Sequence, residues 1–142
     1  MAQLPDDIDP VMRGILERTR GGELAVKMGI EFVELSGSYS VARMPVEGNR
    51  QVVDLLHGGA HVVLGETLGS VSSAIHAGAG RYAVGIEVNA SHSRSATSGW
   101  VTGTYRAINL GRTLATHEIV VTDESGARIS TARITNLLRE RR

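Results

Sequence analysis

The sequence predicts an α+β fold in which an antiparallel sheet wraps around one long helix. Two observations carry this prediction. From His57 to His76 the apolar residues recur at helical spacing around a single carboxylate, Glu66. After residue 80 the chain consists almost entirely of alternating apolar and polar residues divided by short turns. A sheet packed on such a helix buries the apolar stripe of the helix and one face of the sheet together.

A short helix and a pair of strands are expected before the long helix. Residues 1–7 carry no periodic pattern and are expected to be loose. Asp9-Pro10 is typical of a helix start, with a capping carboxylate followed by proline at the first helical position. Gly21-Gly22 should end this helix at about residue 20. The alternation within residues 27–46, which begins at Met28 and is interrupted by a turn of small residues, predicts two strands and a hairpin.

The long helix is predicted to begin at His57 and to end in the glycine-rich segment 77–80. Its apolar stripe, which should face the sheet, consists of Ala60, Leu64, Thr67 with Leu68, Val71 and Ile75. The other flank carries small residues, among them Gly65 and Gly69. Each glycine costs a helix about 1 kcal/mol relative to alanine. We therefore expect this flank to approach a ligand or a second helix closely.

Four apolar runs joined by short turns follow the helix and predict an antiparallel meander. The first run alternates through Val84, Ile86, Val88 and Ala90, and its continuation puts His92 and Arg94 on the same face as the valines. The later runs cover residues 100–110, 113–122 and 127–138.

Composition excludes several classes of function. With 142 residues, the chain is expected to form one domain over 1–142, with residues 1–24 as a helical extension. Fifteen basic residues balance fifteen acidic ones, so a nucleic-acid-binding surface is not indicated. The absence of cysteine rules out disulfides and thiolate metal sites. No signal sequence or membrane span is evident, and a cytoplasmic location is expected.

The spacing of Gly58 and Glu66 suggests a site shared between two chains. The amides at the start of the helix, near Gly58, have no partner within the helix and would favour a carbonyl oxygen that gains negative charge. Glu66 lies eight residues later, about 12 Å along the helix axis. The two residues could act on one carbonyl only if an antiparallel second copy supplied its Glu66. This arrangement predicts a two-fold dimer with two composite sites.

Several segments resemble the hotdog-fold acyl-coenzyme A thioesterases of the PaaI-like type. They are HGGA at 57–60, GETLGS at 65–70, the strand 84–95 and the turn Asn109–Arg112. The likeness covers about residues 25–139. It is closest to the branch containing the dihydroxynaphthoyl-coenzyme A thioesterases of menaquinone synthesis, the enterobactin proofreading thioesterase and one type of 4-hydroxybenzoyl-coenzyme A thioesterase. The resemblance implies hydrolysis of acyl-coenzyme A, with aryl acyl groups favoured, by a dimer or a dimer of dimers.

The resemblance also implies roles for individual residues. Glu66 would be the catalytic carboxylate, as nucleophile or general base, and Gly58 the amide donor to the thioester carbonyl. Gln51 would orient the substrate or the water, His57 would flank the carbonyl or thiol side, and Ser70 would contact the water or the acyl group. The positions expected to bind the substrate or the coenzyme are Thr67, Gly85, His92, Ser93, Arg94, Ser95, Asn109, Leu110, Gly111 and Arg112. No cofactor is implied beyond the coenzyme of the substrate. Asp54 departs from the pattern, because relatives often carry glycine there.

Each of these residues also has a simpler explanation. Glu66 could be a structural acid, and His57 could only cap the helix. The pair His57 and His61 has zinc-ligand spacing without an HExxH pattern, so no metal is expected. His76 and His117 have no functional residues around them in the sequence and are expected at or near the surface. Two other functions remain open: a hotdog domain that binds acyl-coenzyme A without cleaving it, and a dehydratase.

Overall fold

A computed structural model describes residues 2–142 of the chain, in which six strands form one sheet around a long helix. The elements in chain order are α1 (Pro10–Thr19), α2 (Glu23–Lys27), β1 (Glu31–Glu34), β2 (Tyr39–Pro45), α3 (Gly58–Ala77), β3 (Arg81–His92), β4 (Trp100–Leu110), β5 (Leu114–Thr122) and β6 (Arg128–Glu140). The predicted architecture of an antiparallel sheet wrapped around one long helix is confirmed.

The first helix begins as its sequence predicts. Asp9 caps α1 by accepting a hydrogen bond from the Met12 amide at 3.0 Å, and Pro10 occupies the first helical position. The next segment differs from the prediction. Residues 23–27 form the short helix α2, and the first strand begins at Glu31 instead of near Met28. A helix of five residues is too short to show a period, which is why the alternation further along dominated the prediction.

The expectation that residues 1–7 are loose is wrong for part of that segment, of which Met1 lies outside the described residues. Gln3 forms a parallel bridge with Glu34 of β1. Its amide donates to the Val33 carbonyl at 2.8 Å, and its carbonyl accepts from the Leu35 amide at 2.9 Å. The amino-terminal segment therefore covers the outer edge of β1.

The helix α3 has the predicted bounds, and its packing explains its composition. Ala60, Leu64 and Leu68 are buried against the sheet, while Val71 and Ile75 are partly buried against the same core. The glycines of the small flank face the protein's own sheet, so the expected close contact with a ligand or a second helix is wrong for them. A β-carbon at Gly65 would meet Ile134, Ala132 and Ile119, and one at Gly69 would collide with His117.

The sheet order is β1-β2-β4-β5-β6-β3, and all neighbouring strands are antiparallel. Only β4, β5 and β6 form the predicted meander. The strand β3 crosses over to pair with β6 through eleven residue pairs, and β2 takes the place beside β4. This crossover allows α3 to pack across the whole sheet, and it leaves β3 at an edge with one side unpaired.

A β-bulge at Ile86 changes which residues of β3 face the helix. Gly85 pairs with Asn136 and Glu87 with Thr135, so Ile86 is the extra residue. Beyond the bulge, Val88 and His92 pair with residues of β6 that face the core, whereas Val84 faces outward. The prediction that the valines share one face is therefore wrong. Arg94 follows the end of the strand and is exposed, so its predicted place on the strand is also wrong.

The core lies between α3 and the concave face of the sheet. Its fully buried apolar side chains include Leu64, Leu68, Ile119 and Ile134. Tyr105 is buried with them, and its hydroxyl donates to the Gly37 carbonyl at 2.9 Å. No helix in residues 2–142 combines the length and the apolar character needed to cross a membrane.

Candidate active site

Glu66 lies in the third turn of α3, above β3. A β-carbon at Gly85 would lie 2.8 Å from the Glu66 Oε1 atom, so the carboxylate rests directly on the backbone of this strand. The side chain is half-buried. Among residues 2–142, none forms a hydrogen bond or an ion pair with this carboxylate. A half-buried carboxylate without a structural partner is available for chemistry.

The start of α3 presents one unused amide. The ring Nδ1 of His57 accepts the Gly59 amide at 2.8 Å, and the His57 carbonyl accepts the Ala60 amide at 2.9 Å. His57 is thus the N-cap of the helix, as the simpler explanation for this residue proposed. Within the described part of the chain, no acceptor lies on the Gly58 amide. This donor, at the positive end of a helix of 20 residues, suits an oxygen with developing negative charge.

His92 forms the wall beside Gly58. A β-carbon at Gly58 would lie 2.9 Å from the His92 Nε2 atom, so only glycine leaves this face of the helix start open. The other ring nitrogen of His92 is hydrogen-bonded to Ser130 Oγ at 2.8 Å. Ser130 Oγ donates in turn to the Ser91 carbonyl at 3.3 Å. Since the serine proton goes to that carbonyl, His92 Nδ1 donates to Ser130 Oγ, and Nε2 faces the helix start.

Ser70 lies one turn after Glu66 on the same side of α3. Its hydroxyl oxygen accepts a hydrogen bond from Asn136 Nδ2 at 3.2 Å. Asn136 is fully buried on β6 and was not among the predicted site residues. The alternation of β6 did contain a signal for it, because Asn136 stands between Ile134 and Leu138 at a position that faces the core.

Gln51 belongs to a loop that leads into the helix start. Its side-chain oxygen accepts the Val53 amide at 3.0 Å, and Val52 and Val53 project into solvent. Asp54 has φ 61°, in the left-handed region that favours glycine. This backbone conformation fits the glycine that the resemblance leads us to expect at this position. The Leu56 amide donates to the Ala96 carbonyl at 2.8 Å, which ties the loop to the segment after β3.

Most of the residues expected to bind the substrate or the coenzyme fall into two separate groups, whereas Gly85 lies under Glu66 and Thr67 follows Glu66 on α3. His92, Ser93, Arg94 and Ser95 lie at the end of β3, beside the start of α3. The turn Asn109–Arg112 lies at the opposite end of the helix. There, the Gly111 carbonyl is 2.9 Å from His76 Nε2, and Arg81 donates to the Arg112 carbonyl at 2.7 Å. A helix of 20 residues, about 30 Å long, separates the groups within one chain.

Two histidines lie inside the protein. His117 is fully buried on β5 against Tyr105, with ring centroids 4.7 Å apart, so its predicted place at or near the surface is wrong. His76 is half-buried, as expected. His61 is buried and stacks on His92 at 4.8 Å. Burial lowers the pKa of His117 to about 4. Burial, and to a smaller extent the nearby His92, lower the pKa of His61 to about 4, so both rings are neutral near pH 7.

Metal ligands are not grouped in this structure. Within residues 2–142, no cluster of three histidine, aspartate or glutamate side chains could hold an ion. The pair His57 and His61 is engaged otherwise, since His57 caps the helix and His61 is stacked on His92.

A long helix enclosed by a six-stranded antiparallel sheet, with a carboxylate on its third turn and a free amide at its start, defines the hotdog class of acyl-processing proteins. Comparison with known proteins supports this class. The family model of the thioesterase superfamily matches residues 54–130. The proofreading thioesterase EntH of Cronobacter turicensis is 40% identical over 120 residues, which are 84% of this chain and 88% of that protein.

Solved structures lead to the same class. A thioesterase of Pseudomonas aeruginosa, solved as a variant, has a TM-score of 0.82 and 35% identity over 92% of each chain. A thioesterase of Haemophilus influenzae has a TM-score of 0.80 and 32% identity over 83% of each chain. The chain belongs to the thioesterase superfamily and is a thioester hydrolase.

Proposed function

We propose that the protein hydrolyses acyl-coenzyme A thioesters with aromatic acyl groups, at two composite sites of a homodimer. The observation that carries the proposal is the pair of groups left without partners on α3. Glu66 and the Gly58 amide are both free, yet they lie eight residues apart, about 12 Å along one axis. Neither can reach a carbonyl bound at the other group of the same chain, so each requires a second copy.

The unpaired edge of β3 is the surface on which a second copy fits. This strand has 12 residues, and its apolar side chains are unusually exposed, with Ile86 at 55% and Val84 at 42%. A long apolar edge strand with free backbone groups pairs readily with another strand. Two copies related by a two-fold axis would join their β3 strands antiparallel and form one continuous sheet of twelve strands.

One register of this pairing would bring Glu66 of one chain close to the helix start of the other. Gly85 lies under Glu66, and His92 lies beside Gly58. If the two-fold axis passed between Val88 and Asn89, Gly85 of one copy would lie opposite His92 of the other. Glu66 of one chain would then face the helix start of its partner. The same axis would bring the turn that contains Arg112 towards the segment that follows the partner copy's β3.

The chemistry then follows from the groups present. Glu66 takes a proton from water, the water oxygen bonds to the thioester carbon, and the carbonyl oxygen becomes an oxyanion held by the Gly58 amide. Collapse of this intermediate breaks the carbon–sulfur bond, and coenzyme A leaves as a thiolate. In the alternative route, Glu66 itself attacks the carbonyl carbon and expels coenzyme A as a thiolate, which leaves a mixed anhydride, and water then attacks the Glu66 carbonyl carbon of this anhydride and releases the acid. Single turnover in ¹⁸O-labelled water separates the two, because only the second route leaves label in Glu66.

The coenzyme would lie along the groups contributed by the two chains. Arg94 and Arg112 are both exposed, and arginine suits the phosphate groups of coenzyme A. Ser93, Ser95 and the turn from Asn109 supply further polar contacts. The preference for aromatic acyl groups rests on the sequence resemblance to the dihydroxynaphthoyl and 4-hydroxybenzoyl branch, and the similarity to the proofreading thioesterase EntH supports membership of that branch. A dimer of dimers is the expected assembly.

The test is thiol release from a panel of aroyl, short aliphatic and long aliphatic coenzyme A thioesters. We expect the parent protein to turn over aroyl thioesters fastest and Glu66→Gln to lose at least about 10²-fold in kcat. Glu118→Gln is the matched control, because Glu118 is also half-buried but lies on the outward face of β5. Parent activity in Glu66→Gln would refute the proposed role of this carboxylate.

The same panel, extended by 3-hydroxyacyl thioesters of coenzyme A, distinguishes hydrolysis from the other two functions. A domain that only binds acyl-coenzyme A would release no thiol from any thioester. A dehydratase would convert 3-hydroxyacyl thioesters to unsaturated products, which absorb in the ultraviolet without release of thiol. A preference for long aliphatic thioesters would leave hydrolysis standing and overturn the aromatic specificity.

A further inference from the structure

Asn136 joins two serines of α3 through the two ends of its amide. Its Nδ2 donates to Ser70 Oγ at 3.2 Å, and its Oδ1 accepts from Ser73 Oγ at 3.4 Å. A serine hydroxyl has a single proton to donate. Ser73 gives its proton to the amide oxygen, whereas Ser70 receives a hydrogen bond from the amide nitrogen and keeps its own proton.

The position of Asn136 directs this free proton toward Glu66. Asn136 pairs with Gly85 across the ladder, and a β-carbon at Gly85 would lie 2.8 Å from Glu66 Oε1 and 3.8 Å from Asn136 Nδ2. The carboxylate and the amide therefore meet over the same glycine. Ser70 lies one helical turn from Glu66, on the side of α3 that faces this point. Asn136 itself is fully buried beneath the helix.

We infer that Asn136 is a positioning residue, which holds Ser70 as a hydrogen-bond acceptor so that the Ser70 hydroxyl donates to the water or acyl oxygen on which Glu66 acts. The inference rests on the proposed function of Glu66 and Ser70. An amide in the opposite orientation, or an apolar residue at this position, would let Ser70 turn its proton into the protein. The reacting group would then lose a donor.

The test measures kcat and KM of Asn136→Leu, a substitution of similar size, on the best thioester of the panel. We expect kcat to fall about tenfold, the effect of one lost hydrogen bond, with KM unchanged. The decisive comparison is with Ser70→Ala. In the Asn136→Leu background, Ser70→Ala should cause almost no further loss, because both changes remove the same donated proton. A merely structural role would make the two losses multiply.

Two further variants serve as an alternative to Asn136→Leu and as a control. Asn136→Thr, which is well suited to a strand but too short to reach both serines, should show the same loss if Asn136→Leu does not fold. Ser72→Ala is the matched control. Ser72 is a buried serine of the same helix. Its Oγ atom is 2.7 Å from Ser40 Oγ, on the side away from Asn136. It should lower stability and leave kcat unchanged.

The outcomes distinguish this inference from the proposed function. A parent protein that cleaves no coenzyme A thioester overturns both. An active parent whose folded Asn136 variants keep the parent kcat, or whose losses multiply with Ser70→Ala, overturns the role of Asn136 alone.

Discussion

A single methyl group at Gly85 should separate catalysis from folding. The backbone of Gly85 is extended, without the positive φ found at eight other glycines, so alanine fits the strand. The added carbon would lie 2.8 Å from Glu66 Oε1. To reach the ordinary van der Waals separation of 3.4 Å, the carboxylate oxygen must retreat by about 0.6 Å. The end of a glutamate side chain can move this far without disturbing the core.

The magnitude follows from the sensitivity of catalysis to position. A misplacement of about 1 Å can cost about 10²-fold in rate, so a shift of about 0.6 Å should lower kcat about tenfold. The free energy of unfolding should change by less than about 0.5 kcal/mol, since nothing in the core is displaced. Urea denaturation and thiol release measure the two quantities on the same preparation.

The control for this substitution is Gly14→Ala. Gly14 lies in α1 with no atom within 4 Å of an added β-carbon. Alanine there should stabilise the helix by up to about 1 kcal/mol and leave kcat unchanged. If Gly85→Ala kept the parent kcat, the carboxylate above this glycine would not be the catalytic group. If KM rose and kcat stayed constant, Gly85 would instead contact the coenzyme.

Two further predictions concern assembly and pH. Ile86→Lys at the free edge of β3 should yield a monomer of 15.1 kDa in size-exclusion chromatography, and this monomer should release no thiol. The control is Val33→Lys, at a side chain 48% exposed on β1, which should keep the parent assembly. An active Ile86→Lys monomer would contradict the composite site. Because burial lowers the pKa of His117 from 6.5 to about 4, the unfolded chain binds this proton more readily, and stability is full above about pH 6.5 and falls toward pH 4. His117 should account for about 3 kcal/mol of this loss, and His61, whose pKa is also about 4, for a similar amount. His117→Phe should therefore reduce the slope by about half, and an unchanged slope would show that His117 does not contribute to it.

Local sequence signals predicted the helices whose ends carry capping residues or glycine-rich stops. Asp9-Pro10 set the start of α1, and the glycine-rich segment after Ala77 set the end of α3. In contrast, the partner of β3 depends on contacts between residues far apart in the chain. Nothing in residues 81–92 indicates that they pair with β6 instead of β4, and the bulge at Ile86 appears only when the two strands are aligned.

The candidate site was predictable in its types of residue and less so in their surroundings. The lone carboxylate Glu66 and the glycine at 58 could be picked out because each is costly unless it has a purpose. The residues behind them were missed. Asn136 and His117 stand at inward positions of otherwise apolar strands, and this alternation was the available signal. A single polar residue at an inward position does not change the strand that the alternation predicts, so neither residue stood out in the sequence.

The central claim is that each active site takes Glu66 from one chain and the Gly58 amide from the other, and mixing two inactive variants tests it. Glu66→Gln lacks the carboxylate, and Gly58→Val blocks the helix start against His92. If the two variants are mixed in equal amounts, unfolded and refolded together, half of the dimers will contain one chain of each variant. Each of these mixed dimers would have one intact site and one defective site. The account predicts recovery of about one quarter of the parent activity. If each site belonged to a single chain, every site in the mixture would be defective, and no activity would return.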